Sequence, residues 1–382
     1  MRESEDRSED NRGTIIVISD RVDWDSVAPP QQTDWHGAAI EVEGSYLHRL
    51  PLALIERGRF ARFEVWHHVS NSAAVGSRQA SAFLTERAFF VGDPSPPFRN
   101  LGMAEALRDA PPGLLLVYGL GVSADVIDAA DGATVIYNSI DAPALRIPAD
   151  VSARCDIILT GAQWQAETVA GRHPGTPAPV LPVGPEFAAP TQFFPTSAAK
   201  DFDLIYVGAA QPYKRHDILF DAIERLDGSV NAVCVFGYGE LAEQYREDAH
   251  RRGLPIEFVM PPVRSYAEVN DWMNRARIGV VAGFDDGAPA ILTEYMLAGL
   301  PVLANDGLSC GLQYIVPETG EAAPPEDWHR VIPRMLRNLD SYSPRETAIA
   351  RWSWPHSVAR LEPLLDAALN AKRKTYSLAE GS

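Results

Sequence analysis

Two carboxylates lie eight residues apart in one short stretch of the chain, GFDDGAPAILTEYMLAGLPVLAN, which runs from Gly283 to Asn305. Pro289 favours the first turn of a helix and Gly299 favours its end, so the stretch predicts a helix between them. Asp286 then lies in the loop before the helix, and Glu294 lies about a turn and a half inside it. The apolar runs on either side predict two strands, which this helix joins by a right-handed crossover.

This placement brings acidic groups and backbone donors to the carboxyl end of a strand, where open α/β sheets bind ligands. A helix start favours an anion, and the candidate contacts here are Gly287, Ala288, Ala290 and Ile291. A ligand with both phosphate and hydroxyl groups fits such a site, and a nucleotide sugar has both. Taken singly, each acid also has a simpler explanation, Asp286 as a loop or capping acid and Glu294 as a solvated helix residue.

A second set of candidate phosphate contacts follows the apolar run DLIYVG. Lys214 lies in the loop after this predicted strand, where its ammonium could meet an anion. Arg215 beside it could add a second cation, although an exposed surface lysine explains Lys214 equally well. Glycines near the ends of this strand and the next could let backbone approach the ligand, or could simply form turns. They are Gly208, Gly237 and Gly239.

Apolar strand patterns alternate with helical patterns along the chain, which predicts parallel sheets covered by helices on both faces. TIIVISD is a continuous β-branched run, as expected of a strand buried on both faces. A helix is predicted from Ser45 to Glu56, ending at Gly58. The further predicted strands are FEVWHHV, GLLLVYG, TVIYNS, DIILTG and PVLPVG, then DLIYVG, AVCVFG, IEFV, IGVVAG and LPVLAN. The pattern therefore predicts two doubly wound α/β halves.

Length and composition exclude some classes of protein. The chain has 382 residues, enough for two domains, and 46% of them are hydrophobic, so a folded globular protein is expected. A formal net charge of −17 argues against a nucleic-acid partner, because such proteins meet phosphates with Lys and Arg. Cys155, Cys234 and Cys310 show no metal-binding spacing and are expected to be small buried residues. No apolar run is long enough to span a bilayer.

These motifs resemble glycosyltransferase family 4. Its members are retaining enzymes of the GT-B fold, in which two doubly wound Rossmann-like domains face a cleft and a C-terminal helix crosses back to the first domain. DGAPAILTEYMLAGLPV follows the family's acidic-x7-Glu signature, and DLIYVGAAQPYKRHDILFDAI resembles the block that opens its second domain. VCVFGYGE and RWSWPHSVARLEPLLDAAL resemble its Gly-x-Gly turn and its final helix. The match is specific in the second half of the chain and weak in the first.

The resemblance implies roles for the site residues. Lys214 would bind the donor diphosphate, Glu294 would accept hydrogen bonds from ribose hydroxyls, and Asp286 would hold sugar hydroxyls near the anomeric carbon. In such enzymes the donor's own phosphate is held to take the acceptor proton. No metal and no cofactor are implied, because a nucleotide-diphosphate sugar serves as the donor substrate.

The resemblance also implies a division of the chain. The predicted parts are a disordered acidic tail at 1–12, an acceptor-binding Rossmann-like domain at 13–185, a linker at 186–200, a donor-binding Rossmann-like domain at 201–350, a crossover helix at 351–373 and a tail at 374–382. The second domain would then bind the nucleotide sugar and the first domain its acceptor.

The donor half departs from the family pattern at three positions. Ala209 stands where an arginine is usual, so one diphosphate cation is missing unless Arg215 or Arg264 substitutes. Asp286 is one methylene shorter than the usual glutamate. Pro289 stands where glycine is usual, and proline removes a donor N–H. These differences leave an inactive relative open as an alternative.

The acceptor half lacks an expected histidine. VIYNSIDAP places Ile140 before Asp141, where the family often has a histidine near the sugar. Asp141 and Asn138 are the remaining candidates, Asp141 for a catalytic role and Asn138 for an acceptor contact. The residue that would act near the sugar in place of histidine stays unassigned from the sequence.

A long loop from Arg21 to Gly44 is the other candidate acceptor region, because loops of this length in compact domains are usually functional or mobile. Trp35 and His36 could contact a sugar ring, and Gly44 is a third candidate. Alternatively, the tryptophans of this loop only pack against the domain and hold the loop in place.

Three arginines follow the first predicted helix, and they could touch anionic lipid headgroups. They are Arg57, Arg59 and Arg62. We therefore expect a weak contact with a membrane surface. The expected location is the cytoplasm, or the periphery of the inner membrane face.

The sequence thus predicts a retaining, metal-independent glycosyltransferase. It would transfer a hexose-type sugar from a nucleotide-diphosphate sugar to a carbohydrate, lipid-linked or natural-product acceptor. Two alternatives stay open, a nucleotide-sugar epimerase of the same architecture and a non-catalytic nucleotide-sugar binding protein.

Overall fold

The computed structural model describes residues 13–23, 46–261 and 265–380. The chain forms two compact units, Met1–Val183 with Ser357–Ser382, and Gly184–His356. Each unit is built on one sheet of mainly parallel strands, so the predicted α/β class is confirmed. The predicted tail at 1–12 lies outside the described residues.

In the described part of the chain, the first unit contains a seven-stranded sheet and six helices. Its strands are β1 (Thr14–Val22), β2 (Arg62–Val69), β3 (Gly76–Gln79), β4 (Leu84–Phe90), β5 (Leu114–Tyr118), β6 (Thr134–Asn138) and β7 (Ile157–Leu159). They lie in the order β3-β4-β2-β1-β5-β6-β7. Only β3 is antiparallel to its neighbour among these described pairs. The helices before the last one are α1 (Tyr46–Glu56), α2 (Leu101–Asp109), α3 (Ala124–Asp128), α4 (Ala149–Ser152) and α5 (Gln163–Arg172).

The second unit contains a six-stranded parallel sheet. Its strands are β8 (Phe202–Gly208), β9 (Ala232–Phe236), β10 (Ile256–Val259), β11 (Ala276–Val281), β12 (Val302–Asn305) and β13 (Gly320–Ala323). They lie in the order β10-β9-β8-β11-β12-β13. The helices are α6 (Val183–Glu186), which begins at the division between the units, α7 (His216–Arg225), α8 (Ala242–Arg251), α9 (Tyr266–Asn274), α10 (Ile291–Leu297), α11 (Trp328–Arg337) and α12 (Pro344–Arg351).

The apolar runs form the central strands, because helices cover both faces of each sheet and both alternating sets of side chains are buried. Residues 15–18 of β1 are at most 2% exposed, and all five residues of β9 are buried. On α7, Leu219 and Ile223 are buried, as the predicted apolar stripe requires. This packing fixes the strand ends from which the site loops leave.

Two details of the first unit were predicted wrongly. PVLPVG forms no strand, because its prolines lack N–H groups. An isolated bridge joins Val180 of this segment to Thr160. The strands β3 and β4 were not predicted, because GSRQ is polar and fully exposed and LTERAFF carries two charged residues.

The segment 186–200, predicted as a linker, groups with the second unit. Phe187 and Phe193 are at most 1% exposed there. Arg345 donates hydrogen bonds to the carbonyls of Pro190 at 3.1 Å and Phe193 at 2.9 Å. The segment is therefore packed and hydrogen-bonded in this structure.

The chain ends in a long helix, α13 (Trp354–Glu380), whose residues from Ser357 onward group with the first unit. Lys372 Nζ lies 3.1 Å from Asp156 Oδ2 within that unit. No helix in the described part of the chain is both long and apolar enough to cross a membrane.

Candidate functional site

A close ion pair lies at the carboxyl edge of the second unit's sheet. Lys214 Nζ is 2.5 Å from Asp286 Oδ2, and the two side chains are 17% and 15% exposed. Lys214 ends the 3-10 turn Pro212–Lys214 after β8, and Asp286 lies in the loop after β11. Because β8 and β11 are adjacent, both side chains reach the same part of the edge.

Tight backbone packing holds the Lys214 turn in place. A Cβ on Gly283 would lie 2.9 Å from the carbonyl oxygen of Tyr213, so glycine permits this approach. The Tyr206 hydroxyl donates to the Lys214 carbonyl at 2.5 Å. The Tyr213 ring centroid lies 5.0 Å from Lys214 Nζ, within cation–π range. The ammonium is thus fixed between an aromatic ring and a carboxylate.

The environment keeps Lys214 charged. Burial alone would lower the pKa of Lys214, but the charge of Asp286 and the nearby tyrosines raise that pKa above its ordinary value. Burial raises the pKa of Tyr213 to about 12, against the lowering effect of the Lys214 charge. The site therefore holds a mostly buried cation beside a neutral phenol.

The second oxygen of Asp286 binds the loop itself. Asp286 Oδ1 accepts the Ala288 N–H at 3.3 Å, so this N–H is not free for an anion, contrary to the sequence-based prediction. Pro289 has no N–H. The N–H groups of Ala290 and Ile291 belong to the start of α10 and have no acceptor within that helix.

Glu294 is buried, with 7% of its surface exposed. The simpler explanation of Glu294 as a solvated helix residue is therefore wrong. Helix α10 begins at Ile291, two residues after the predicted start at Pro289, and Gly299 follows it in the left-handed region with φ +87°. Glu294 thus lies in the first turn of α10, nearer to the loop of Asp286 than the sequence predicted.

A tyrosine next to Glu294 fixes α10 on the sheet. The Tyr295 hydroxyl accepts the Val207 N–H at 2.7 Å and donates to the Ile205 carbonyl at 3.2 Å, both on β8. A Cβ on Gly279 would lie 2.4 Å from the Tyr295 ring, so β11 needs glycine there. These contacts set the position of α10, and with it Glu294, relative to β8 and β11.

Arg215 lies beside Lys214 but binds another acid. Its guanidinium is 2.7 Å from Asp217, and its side chain is 41% exposed. Ala209, at the position where the family often has arginine, is 4% exposed. Arg264, the other candidate substitute, lies outside the described residues. In this structure, therefore, the described cation nearest the Asp286 carboxylate is Lys214.

The three candidate glycines have different structural needs. Gly239 has φ +124°, and a Cβ there would lie 2.4 Å from the Ala210 carbonyl oxygen. Gly208 has ordinary contact distances of 3.5 Å or more around a built Cβ, and Gly237 has open space. Packing therefore explains the glycine at 239 but not those at 208 and 237.

The candidates of the first unit are dispersed. Asp141 Oδ1 is 3.3 Å from Arg146 Nη1. Asn138 is 2% exposed at the end of β6, where its Oδ1 accepts the Val183 N–H at 3.2 Å and its Nδ2 has no partner among the described residues. The remaining acceptor candidates lie outside the described residues; they are Trp35, His36 and Gly44.

Asp20 and Tyr118, near the carboxyl ends of β1 and β5 in the first unit, were not selected from the sequence. The Tyr46 hydroxyl donates to Asp20 Oδ1 at 2.5 Å, at the end of β1. The buried Tyr118 hydroxyl, at the end of β5, has no hydrogen-bond partner among the described residues. The available signal was their position at the carboxyl ends of two predicted strands.

The three arginines considered for lipid contact have partners within the first unit. Arg57 pairs with Glu362 at 2.8 Å, Arg59 pairs with Asp366, and Arg62 donates to Thr14 Oγ1 at 2.9 Å. Two of them thus join α1 and its following turn to the final helix.

The described residues contain no group of three or more His, Cys, Asp or Glu that could hold a metal ion. Cys155, Cys234 and Cys310 are buried free thiols, as the sequence predicted. Burial raises the pKa of the Cys155 thiol to about 12, so this thiol is an unreactive packing group at neutral pH.

The second unit matches a protein family. The family model described as "Glycosyl transferases group 1" matches residues 190–351, which include Lys214, Asp286 and Glu294. No curated protein sequence matches the chain.

Solved structures match across both units. Sucrose-phosphate synthase from Thermosynechococcus elongatus has a TM-score of 0.64 at 14% identity, over 97% of this chain and 100% of that one. Anabaena Alr3699/HepE, solved with UDP and glucose, has a TM-score of 0.62 at 12% identity, over 93% and 99%. The pneumococcal O-GlcNAc transferase GtfA has a TM-score of 0.57 at 13% identity, over 70% of this chain and 59% of its own length.

These similarities show the fold. The chain has two Rossmann-like sheets, and its structural neighbours are GT-B glycosyltransferases.

Proposed function

We propose that the chain is a retaining, metal-independent glycosyltransferase of the family 4 type, which transfers a hexose-type sugar from a nucleotide-diphosphate sugar to a carbohydrate, lipid-linked or natural-product acceptor. The observation that carries this proposal is the mostly buried Lys214–Asp286 pair, 2.5 Å apart, within the segment that matches the family. It provides a cation for phosphate and a carboxylate for hydroxyl groups in one place.

Donor binding would exchange partners at this pair. The diphosphate takes the place of Asp286 beside the Lys214 ammonium, because it carries more charge and offers more acceptor oxygens. Asp286, separated from the lysine, accepts hydrogen bonds from sugar hydroxyls. The N–H groups of Ala290 and Ile291, at the start of α10, can donate to phosphate oxygens.

Glu294 serves the nucleotide end of the donor. Its carboxylate sits in the first turn of α10, which Tyr295 fixes to β8. Two oxygens on a rigid helix suit the two neighbouring hydroxyls of a ribose, each of which can donate one hydrogen bond. Backbone at Gly208 and Gly237 has room to approach the rest of the nucleotide.

The chemical step needs little from protein acids or bases. The bond between the anomeric carbon and the diphosphate oxygen breaks, and the negative charge that develops on that oxygen is stabilised by Lys214. The acceptor hydroxyl forms the new bond on the same face of the sugar and gives its proton to the departing phosphate oxygen. Asp286 lies beside the positive charge that develops on the sugar ring.

The test is a donor panel. The full chain is mixed with UDP-, GDP- and ADP-hexoses, with and without sugar acceptors, and nucleotide release and the anomeric configuration of the product are followed by NMR. The proposal expects acceptor-dependent release with retained configuration, at a rate unchanged by a chelator. Conversion of the donor sugar without release would identify an epimerase, and binding without turnover would identify a binding protein.

A further inference from the structure

The strand order of the first unit reverses between β1 and β5. β1 pairs with β5 only from Ile15 to Ile18, opposite Leu114 to Val117, and with β2 on its other side. The chain passes from β1 to β2 on one side, and reaches β5 on the other side only after β4. Such a reversal of strand order is where open α/β sheets bind ligands.

A carboxylate lies beside this reversal of strand order. Asp20 lies two residues after Ile18, the last β1 residue paired with β5, and Gly119 follows β5 with φ +55°. A Cβ on Gly119 would lie 2.7 Å from Asp20 Cβ and from Asp20 Oδ2, so the glycine makes room for the acid. The Tyr46 hydroxyl donates to Asp20 Oδ1 at 2.5 Å, which fixes the orientation of the carboxylate.

A buried hydroxyl without a partner lies next to this acid. Tyr118 is 1% exposed, and its hydroxyl has no hydrogen-bond partner among the described residues. Burial first, and then the charge of Asp20, raise the pKa of Tyr118 above its ordinary value, so the phenol remains a donor. The Tyr46 ring centroid is 5.5 Å from that of Tyr118. Buried polar groups in folded proteins normally have partners, and a lone one calls for a ligand or ordered water.

The neighbouring strand supplies a second unpartnered donor. Asn138 on β6 is in register with Tyr118 on β5. Its Oδ1 accepts the Val183 N–H at 3.2 Å, while its Nδ2 is buried without a partner among the described residues. By contrast, the Tyr137 hydroxyl on the same strand donates to the Gly119 carbonyl at 2.5 Å. Tyr118 and Asn138 thus place two unpartnered donors on adjacent strands.

We propose that Asp20, Tyr118 and Asn138 form the acceptor subsite and that they select a neutral polyhydroxylated ring, a saccharide or a cyclitol. This inference rests on the proposed function and names the acceptor class for it. The Asp20 carboxylate accepts hydrogen bonds from ring hydroxyls, and the Tyr118 and Asn138 donors bind ring or hydroxyl oxygens. An anionic acceptor would meet the fixed Asp20 charge. Tyr46 is a positioning residue that acts through Asp20.

The test measures sugar binding to the full chain by ligand-observed NMR, with D-glucose, D-galactose, N-acetyl-D-glucosamine, myo-inositol and glucose 6-phosphate as probes. At least one neutral ring should bind and the phosphorylated one should not. Asp20→Asn and Tyr118→Phe should each weaken the neutral ring about tenfold, the effect of losing one hydrogen bond to a desolvated group. UDP affinity, measured by calorimetry, should stay at the parent value.

Tyr137→Phe is the matched control. It removes a hydroxyl one residue from Asn138 that already has a protein acceptor, so it should lower thermal stability and leave sugar binding unchanged. Tyr118→Phe should be at least as stable as the parent, because it removes an unpartnered hydroxyl.

The inference is overturned if no neutral ring binds the parent chain, or if a ring that binds does so equally well to Asp20→Asn and Tyr118→Phe. These outcomes are separate from failure of the proposed function. Sugar binding needs no turnover, and absence of nucleotide release in the donor panel would leave the binding result standing.

Discussion

Lys214 and Asp286 are 72 residues apart in the chain, yet Nζ and Oδ2 lie 2.5 Å from each other with both side chains mostly buried. The adjacency of β8 and β11 brings them together, and Gly283 lets the two loops approach. A paired cation can be kept in a poorly solvated site at lower cost than a lone one. The pair thus holds the Lys214 ammonium where the donor phosphates are proposed to bind.

Breaking this pair should destabilise the second unit. Asp286→Asn leaves the Lys214 ammonium without its carboxylate, at a cost of about 2 kcal/mol, below the range for fully buried pairs because both side chains retain some exposure. Denaturant unfolding of the variant and the parent measures the difference. Lys214→Met combined with Asp286→Asn should recover part of the loss, and a double variant as unstable as the sum of the two would contradict an energetic coupling between them.

Glu294 should govern donor affinity. Glu294→Ala removes hydrogen bonds to a charged group worth about 1.5–3 kcal/mol, so the affinity for a nucleotide sugar should drop roughly ten- to a hundredfold. Glu294→Gln should rescue this partly, since its amide offers one acceptor oxygen. Calorimetric titration with the donor identified in the panel gives both values. Equal donor affinity in the alanine variant, with the fold intact, would remove Glu294 from the site.

Alanine substitutions at Gly237 and Gly239 should have different effects, one on donor affinity and the other on stability. Gly239→Ala introduces a Cβ 2.4 Å from a carbonyl oxygen at φ +124°, and it should cost about 2 kcal/mol of stability or more. Gly237→Ala meets open space, so stability should change by less than about 0.5 kcal/mol while donor affinity decreases. Thermal unfolding and donor titration of both variants test this. Unchanged donor affinity in Gly237→Ala would leave residue 237 as an ordinary turn position.

A buried histidine beside the Lys214 turn should make the second unit acid-sensitive. His216 is 0% exposed and lies among three aromatic rings, with centroids 4.4 Å away for Tyr206, 4.8 Å for Tyr245 and 5.1 Å for Phe236. Neither ring nitrogen has a hydrogen-bond partner among the described residues. Burial first, and then the Lys214 charge, lower the pKa of His216 to about 3.

The sign of the effect follows from this lowered pKa. The stability that neutral His216 contributes is complete above the ordinary pKa of 6.5 and is lost as the pH falls from 6.5 toward about 3, because the unfolded chain takes up the proton first. Parent stability relative to His216→Phe should therefore fall by up to about 1.4 kcal/mol per pH unit across this window. His250→Phe, at an exposed histidine of the same unit, is the control. Parallel pH profiles for the parent and His216→Phe would contradict the account.

The sequence predicted the elements whose apolar patterns decide their burial. β9 is a continuous apolar run, β1 and β11 each contain one, and α10 has Pro289 before it and Gly299 after it. β4 was not predicted. It lies near a sheet edge, where the charged side chains of LTERAFF stay partly exposed, so its sequence lacks a continuous apolar run.

The sequence identified residues of the candidate site but not how they contact one another. Lys214, Asp286 and Glu294 were selected from spacing and resemblance, yet their mutual geometry depends on strand order, which the spacing does not encode. Asp20 and Tyr118 look like ordinary strand residues in the sequence. Only the structure shows that one fills the space beside Gly119 and that the other is buried without a partner.

Turnover by the parent and by two variants of Lys214 tests most directly the central claim that Lys214 stabilises the leaving diphosphate. Because charge develops on the leaving diphosphate, Lys214→Ala should lower the rate of acceptor-dependent nucleotide release by roughly a hundredfold or more, with a smaller loss of donor affinity. Lys214→Arg keeps the charge but changes its shape and reach, and it should retain part of the rate. Nucleotide release and calorimetric donor titration are measured on the parent, the alanine variant and the arginine variant. If Lys214→Ala turns over like the parent, Lys214 does not stabilise the leaving group and the phosphate site lies elsewhere.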